Sequence, residues 1–175
     1  PDFNHAEILD HSTNQQKKIL LPMLKDKQRV VVPGFYGSVE GFEDCIATSD
    51  RGGSDTWAAY LACSLDAVLM EKCTRKNGIR AADPRIVSDA ERIKEISYTE
   101  QRPLSLSGFK IFDPNAMIYV EKGGFPVHVR DTFGEDKTVW SDQGTYIVRN
   151  RLSTPEKPIV GIAYKNGYCT LSITK

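Results

Sequence analysis

The fold of this chain is decided by residues 48–70, which read TSDRGGSDTWAAYLACSLDAVLM. Ser54 is a favourable N-cap and Asp55 suits the first turn, so the pattern predicts a helix over residues 54–65. The apolar residues 67–70 then predict a buried strand. A glycine-rich turn that leads into a helix and then into a strand is typical of an α/β unit.

The flanking sequence continues this alternation. Further helices are predicted over residues 14–25, 98–107 and 113–123, and further buried strands over residues 30–32 and 126–129. Ser97 and Glu100 have the spacing of a capping box, which marks where the second of these helices begins. The whole pattern predicts an α/β fold in which a mainly parallel sheet is sandwiched between helices.

Composition excludes several classes of partner. The 175 residues carry 23 Lys and Arg against 23 Asp and Glu, so the net charge is zero, whereas proteins that bind nucleic acid or anionic membrane surfaces are usually basic. No apolar run approaches the roughly 18 to 20 residues of a membrane span, and no secretion signal is visible. The four cysteines lack metal-ligand spacing, which predicts reduced thiols, a cytoplasmic location and no metal site.

The loop before the helix predicted over residues 54–65 has the features of an anion site. Gly52 and Gly53 let a ligand approach the backbone closely, and the helix N-terminus offers free N–H groups. Arg51 adds a guanidinium that can bind a carboxylate through two parallel hydrogen bonds. The loop therefore predicts a site for a small acidic substrate. The alternative is a glycine turn with a capping serine and no ligand.

A second candidate site follows the predicted strand 67–70. Residues 72–85 contain five cations against one carboxylate, an excess of four positive charges. The cations are Lys72, Arg75, Lys76, Arg80 and Arg85. Because ligands in open α/β sheets bind beyond the carboxyl ends of strands, this loop predicts a polyphosphate site. A solvated basic loop is the alternative. Lys110 is a further candidate, although an isolated lysine after a glycine is usually only exposed.

Several segments, in register over about 120 residues, resemble the aspartate kinases of the amino acid kinase family. Residues 32–38 (VPGFYGS) resemble that family's Gly-Phe-Ile-Gly segment, residues 51–55 (RGGSD) match its Arg-Gly-Gly-Ser-Asp, and residues 82–85 (ADPR) match the end of its nucleotide loop. The series continues with residues 96–98 (ISY), 108–110 (GFK), 126–133 (PVHVRDTF) and 144–145 (GT).

The resemblance implies transfer of the γ-phosphoryl group of ATP to the β-carboxylate of L-aspartate, with Mg²⁺, in the biosynthesis of lysine, threonine and methionine. It also implies a homo-oligomer. By motif position, the residues that would hold aspartate are Phe35, Thr48, Arg51 and Ser54, and Asp55 would orient catalytic groups. The residues that would lie at the nucleotide are Thr74, Arg75, Arg80, Arg85 and Lys110.

Two segments depart from the family pattern. Its Thr-Asp-Val-Asp-Gly-Val-Tyr loop is TRKNGIR at residues 74–80, so an acidic residue is replaced by Arg75 and a tyrosine by Arg80. The glycine before Arg51 is replaced by Asp50, which adds a carboxylate where an acidic substrate is expected. These changes keep two alternatives open: a non-catalytic protein that binds amino acid or nucleotide, and a sibling kinase for another acidic metabolite.

The family's N-terminal Lys-Phe-Gly-Gly segment is not found in these residues. We therefore expect a kinase domain truncated at its N-terminus and inactive alone, with the missing kinase segment and the remaining regulatory ACT region as its partners. The expected division is the nucleotide-side part of the kinase domain over residues 1–149, a linker over 150–158, and the first hairpin of an ACT domain over 159–175.

Overall fold

Helices and strands alternate along most of the chain. The computed structural model describes residues 5–9, 12–108, 111–134, 143–152, 158–164 and 167. The helices are α1 (Ser12–Lys25), α2 (Gly53–Ser64), α3 (Tyr98–Leu106) and α4 (Ala116–Gly123). The strands are β1 (Tyr36–Val39), β2 (Phe42–Thr48), β3 (Met70–Thr74), β4 (Ile79–Arg80), β5 (Arg92–Ile93), β6 (Glu95–Ser97), β7 (Val127–Asp131) and β8 (Thr145–Val148).

The central sheet has four strands in the order β3-β7-β8-β6. Strands β3 and β7 are parallel, as are β6 and β8, while β7 and β8 are antiparallel. The sheet is therefore mixed but mainly parallel, which confirms the predicted fold class. Thr74 lies opposite Asp131 at the carboxyl ends of β3 and β7. This edge of the sheet carries the loop with the excess positive charge.

The core lies between this sheet and the pair α2 and α4. Val127, Val129 and Ile147 of the sheet and Met117 and Val120 of α4 are fully buried. Each such side chain stabilises the fold by roughly 1.5 to 3 kcal/mol. Ala116, Met117 and Val120 form the buried face of α4, and packing on the sheet fixes how α2 and α4 present their first turns.

Local signals explain where two of the helices begin. Ser97 caps α3: its hydroxyl accepts from the Glu100 N–H at 3.3 Å, and the Glu100 carboxylate accepts from the Ser97 N–H at 2.9 Å. The capping-box prediction is thus confirmed. The N-cap of α2, however, is Gly52, so the prediction of Ser54 as its cap is wrong. Gly52 has φ 99°, a left-handed conformation that favours glycine, and this moves the start of the helix to Gly53.

The strand predictions were less accurate. Residues 30–32 form no strand, and Val31 is 93% exposed, because β-branched composition does not create a strand where no neighbour pairs with it. The strand predicted at 67–70 begins only at Met70. The third predicted strand is confirmed as β7, one residue later than expected, and it buries His128.

The segment after residue 150 is described only in part. Residues 158–164 form no regular strand, although the Ile162 N–H donates to the Ala81 carbonyl at 2.8 Å. Residues 168–175, which carry the second half of the predicted hairpin, lie outside the described residues. The regulatory hairpin therefore stays a prediction. Within the described ranges, no helix is long and apolar enough to cross a membrane.

Candidate functional site

The loop between β2 and α2 is held in a tight turn. Phe35 lies just before β1 with φ 76°, and its carbonyl accepts from both the N–H and the hydroxyl of Ser49, at 2.8 and 2.9 Å. A Cβ on Gly53 would lie 2.1 Å from the Ser49 hydroxyl oxygen. Only glycine fits at that position, which brings the N-terminus of α2 against the loop.

A cavity of about 450 Å³ opens beside this loop. Asp50, Arg51 and Gly53 line it, together with Thr56 and Trp57 of α2 and Asp113 and Asn115 before α4. The volume suits a small ligand. The carboxylate of Asp50 contacts the His5 imidazole, so this unexpected acidic group already has a cationic or hydrogen-bonding partner. The exposed Arg51 side chain remains at the cavity to meet an anion.

The other residues predicted to hold an acidic substrate surround this loop. Ser54 is exposed in the first turn of α2. Thr48 ends β2, and its carbonyl accepts from the Ala6 N–H at 3.0 Å. Phe35 supports the loop through Ser49, as described above. The structure thus brings Phe35, Thr48, Arg51 and Ser54 to one region, and their contacts with a ligand stay a prediction.

Asp55 is held by contacts on both carboxylate oxygens. Oδ1 forms an ion pair with the Nζ atom of Lys72, and Oδ2 accepts from the Asp113 N–H at 3.3 Å. The two side chains of the ion pair are only 14% and 24% exposed. Asp113 is itself held, since its Oδ1 accepts from the Asn115 N–H at 2.8 Å. Asp55 is therefore fixed where α2, β3 and the start of α4 meet.

The basic loop after β3 is anchored at both ends. The Thr74 carbonyl accepts from the N–H and the hydroxyl of Thr132, at 2.7 and 2.9 Å. Further along, the buried Thr145 hydroxyl accepts from the Ile79 N–H at 2.8 Å and donates to the Ile93 carbonyl at 2.5 Å. These bonds fix β4 and β5 against the sheet. The basic residues that flank β4 therefore project from a rigid base.

A second cavity, of about 720 Å³, lies along this basic loop. Its lining includes Arg75, Lys76, Asn77, Arg80, Asp83, Arg85, Ser88 and Tyr164. The lining carries four cations and one carboxylate, so the charge of the cavity favours an anionic ligand. Thr74, at the end of β3, begins the loop. Lys110 lies outside the described residues, so its predicted position is not tested.

Arg85 and Asp83 form a fork-shaped ion pair within the loop. Nη2 of Arg85 lies 2.6 Å from Oδ2 of Asp83, and Nε lies 3.1 Å from Oδ1. The guanidinium hydrogen bonds, and after them the Arg85 N–H, lower the pKa of Asp83 to about 2. Arg80 instead donates to the Ala90 carbonyl at 3.1 Å. Arg75 and Lys76 form no ion pair with the described carboxylates, which leaves their charge available in the cavity.

Comparison with known proteins identifies the family. The model of the amino acid kinase family matches residues 3–131, well over half of the chain. The chain belongs to the amino acid kinase family. Aspartokinase 3 of Bacillus subtilis is 34% identical over 146 residues, which are 83% of this chain and 30% of that protein.

Solved aspartokinases share this amino acid kinase fold. The structure of Escherichia coli aspartokinase III with aspartate and ADP matches with a TM-score of 0.74 and 30% identity, over 85% of this chain and 32% of that one. Aspartate kinase from Clostridium acetobutylicum matches with a TM-score of 0.72 and 32% identity, over 87% of this chain and 33% of that one. The chain thus spans about a third of the length of these relatives.

Sequence reasoning does not foresee the two residues that hold Asp55. It places Lys72 among the cations of the basic loop and Asp113 at the start of a predicted helix, and it assigns neither of them to Asp55. Both contact Asp55 across large separations in sequence, of 17 and 58 residues. The one available signal was strand alternation, which puts Lys72 on the same face of β3 as Thr74.

Proposed function

We propose that this chain is part of an aspartate kinase, which transfers the γ-phosphoryl group of ATP to the β-carboxylate of L-aspartate. The observation that carries the proposal is the Asp55–Lys72 ion pair, because it links the helix of the Arg51 cavity to the strand that leads into the basic cavity. Relatives named aspartokinases, at 30 to 34% identity, support the choice of substrate.

The two cavities correspond to the two substrates of this reaction. In the proposal, aspartate binds beside Arg51 and Ser54 at the N-terminus of α2, with Phe35 and Thr48 supporting the loop. The positive end of the helix and the guanidinium both favour an anionic ligand. ATP binds along the basic loop, where the residues assigned to it are Thr74, Arg75, Arg80, Arg85 and Lys110.

The chemistry requires positioning and charge stabilisation. An oxygen of the aspartate β-carboxylate attacks the γ-phosphorus, the bond from that phosphorus to the β–γ bridging oxygen breaks, and ADP leaves with the electron pair. The product is aspartyl phosphate, and no protein nucleophile is needed. Cations around the phosphates neutralise the charge that moves onto the leaving oxygen.

Magnesium belongs to the proposal only as the counter-ion of ATP. The described residues include no group of three metal-ligating side chains, and the one carboxylate that lines the basic cavity, Asp83, is already bound by Arg85. They therefore do not form a protein cage for a metal. In nucleotide sites Mg²⁺ is usually held by phosphate oxygens and water with one or two carboxylates.

The proposal extends to the whole protein. It includes a role in lysine, threonine and methionine biosynthesis, a cytoplasmic location and a homo-oligomeric assembly. It also includes residues 150–158 as a linker and 159–175 as the start of an ACT domain. Because the chain spans about a third of its relatives, we expect the 175 residues alone to be inactive and to need the remaining kinase segment.

The test is a hydroxamate assay for aspartyl phosphate, run beside calorimetric titration with ATP and with aspartate. Two samples are compared: the 175-residue chain and the full polypeptide that contains it. We expect product only from the full polypeptide, and only with aspartate in a panel that includes glutamate. Product with another acidic metabolite instead would favour a sibling kinase. Binding of both ligands without product would contradict the proposal and favour a non-catalytic binding protein.

A further inference from the structure

The Asp55–Lys72 ion pair joins α2, whose Thr56 and Trp57 line the smaller cavity, to β3, which leads into the loop of the larger cavity. Asp55 lies in the first turn of α2, and its Oδ2 accepts from the N–H of Asp113, which lines the smaller cavity. Lys72 precedes Thr74 by two residues on the same face of β3, and Thr74 opens the loop that lines the larger cavity. Elements that lead to both cavities therefore meet at this ion pair.

The two partners differ in how many of their hydrogen-bonding positions are used. Both oxygens of Asp55 are engaged, one by Lys72 and one by the Asp113 N–H. The ammonium group of Lys72 has three N–H bonds. In the part of the chain that the structure describes, its one hydrogen bond goes to Asp55. Lys72 therefore has two donors left, and its side chain is 24% exposed.

The charges of the pair also favour this role for the lysine. A carboxylate alone at the junction would repel both a phosphoryl group and an acidic acceptor. Once paired with Lys72, the junction is neutral as a unit and presents N–H donors. Fixed donors aimed at developing charge lower a barrier without reorganisation during the reaction.

We propose that Lys72 is a further catalytic residue, which donates to an oxygen of the transferred γ-phosphoryl group, and that Asp55 is the positioning residue that holds its ammonium in place. This inference rests on the proposed function, because the phosphoryl donor is taken to be ATP. The competing explanation is that Lys72 only neutralises a largely buried carboxylate and touches no ligand.

The test compares ATP with ADP, which lacks the γ-phosphoryl group. In calorimetric titration of the full-length protein, Lys72→Met should weaken ATP binding at least about tenfold, the value of a lost charge-assisted hydrogen bond, and ADP binding less than about threefold. Lys72→Arg should restore part of the preference for ATP. The matched control is Lys122→Met, at the exposed end of α4, which should change neither affinity.

A second variant keeps the test decisive if Lys72→Met fails to fold because it leaves Asp55 unpaired. The double variant Asp55→Asn/Lys72→Met removes both charges, and it should lose the preference for ATP over ADP as Lys72→Met does. Equal weakening of both nucleotides, or no weakening of either, in a folded variant overturns the inference.

The same measurements separate this inference from the proposed function. If the preference for ATP depends on Lys72 but no aspartyl phosphate forms, the proposed function fails while the contact of Lys72 with the γ-phosphoryl group stands. If aspartyl phosphate forms and Lys72→Met leaves kcat and the preference for ATP unchanged, the inference alone fails. Wild-type protein that binds no ATP overturns both.

Discussion

Arg51 and Arg85 line different cavities, so their removal should affect different ligands. We expect Arg51→Ala to weaken aspartate binding by about 1.5 to 3 kcal/mol with little change for ATP, since a charge-assisted bond to a carboxylate is lost. Arg85→Ala should do the reverse, because it also leaves the Asp83 carboxylate unneutralised beside the phosphates. Calorimetric titration of each folded variant with each ligand measures this. Equal loss of both ligands in either variant would show that the roles are misassigned.

Gly52, in the loop before α2, lies against the side chain of Asp113, which supports Asp55. Its φ is 99°, and a Cβ there would lie 2.1 Å from Oδ2 of Asp113, the residue whose N–H contacts Asp55. We expect Gly52→Ala to destabilise the fold by about 2 to 4 kcal/mol, from left-handed strain of roughly 1 to 2 kcal/mol and from displacement of the Asp113 side chain.

Gly41→Ala is the matched control for this prediction. Gly41 has φ 75°, yet a Cβ added there would meet nothing within 4 Å, so only the backbone strain applies. Urea unfolding of both variants gives the difference. Equal destabilisation would mean that the contact with Asp113 does not constrain the loop.

The start of α3 should make the free energy of unfolding depend on pH. The Arg151 guanidinium, followed by the N–H and hydroxyl of Ser97, lowers the pKa of Glu100 from 4.5 to about 2. Because the folded pKa lies below the unfolded one, this stabilisation is complete above pH 4.5 and is lost as the pH falls towards 2. The carboxylate is 28% exposed, so we expect about 1 to 3 kcal/mol.

Glu100→Gln tests this stabilisation, since it removes the titrating group and keeps a hydrogen-bonding side chain. The free energy of unfolding is measured for wild type and variant between pH 2 and 7, and the two curves should converge at the acid end. Glu121→Gln, at an exposed position of α4, serves as the control. A constant difference between wild type and Glu100→Gln across this range would contradict the expected linkage.

Elements whose signals are local were predictable from the sequence, and those that depend on distant partners were not. Helix α2 combines an acidic first turn with helix-forming residues within 12 positions, and the capping box of Ser97 and Glu100 marks the start of α3. The run Val30–Val32 has the composition of a strand but no pairing strand in the described chain, and composition alone does not reveal that. Sequence therefore specified the helices better than the strands.

The candidate site shows the same limit. The positions of Arg51 and of the basic loop followed from a glycine turn and from charge counting. The contacts of Asp55 with Lys72 and with Asp113 depend on how β3 and the start of α4 pack beside α2, which only the tertiary structure defines. Asp50 is a similar case, since its partner His5 lies 45 residues earlier in the chain.

Residues 158–164 connect the end of the described chain to the basic cavity. The Ile162 N–H donates to the Ala81 carbonyl, Val160 packs against the core, and Tyr164 lines the cavity. Ile162→Pro removes this N–H, which should release the segment and weaken ATP binding several-fold while aspartate binding is unchanged, since one such hydrogen bond contributes about 0.5 to 1.5 kcal/mol. The control is Ile159→Pro, at an exposed position of the same segment. If both variants bind ATP equally well in calorimetric titration, the segment does not support the nucleotide cavity. A loss of ATP binding in Ile162→Pro alone would show that this segment supports the cavity. Residues after 164 could then influence nucleotide binding through the same contact.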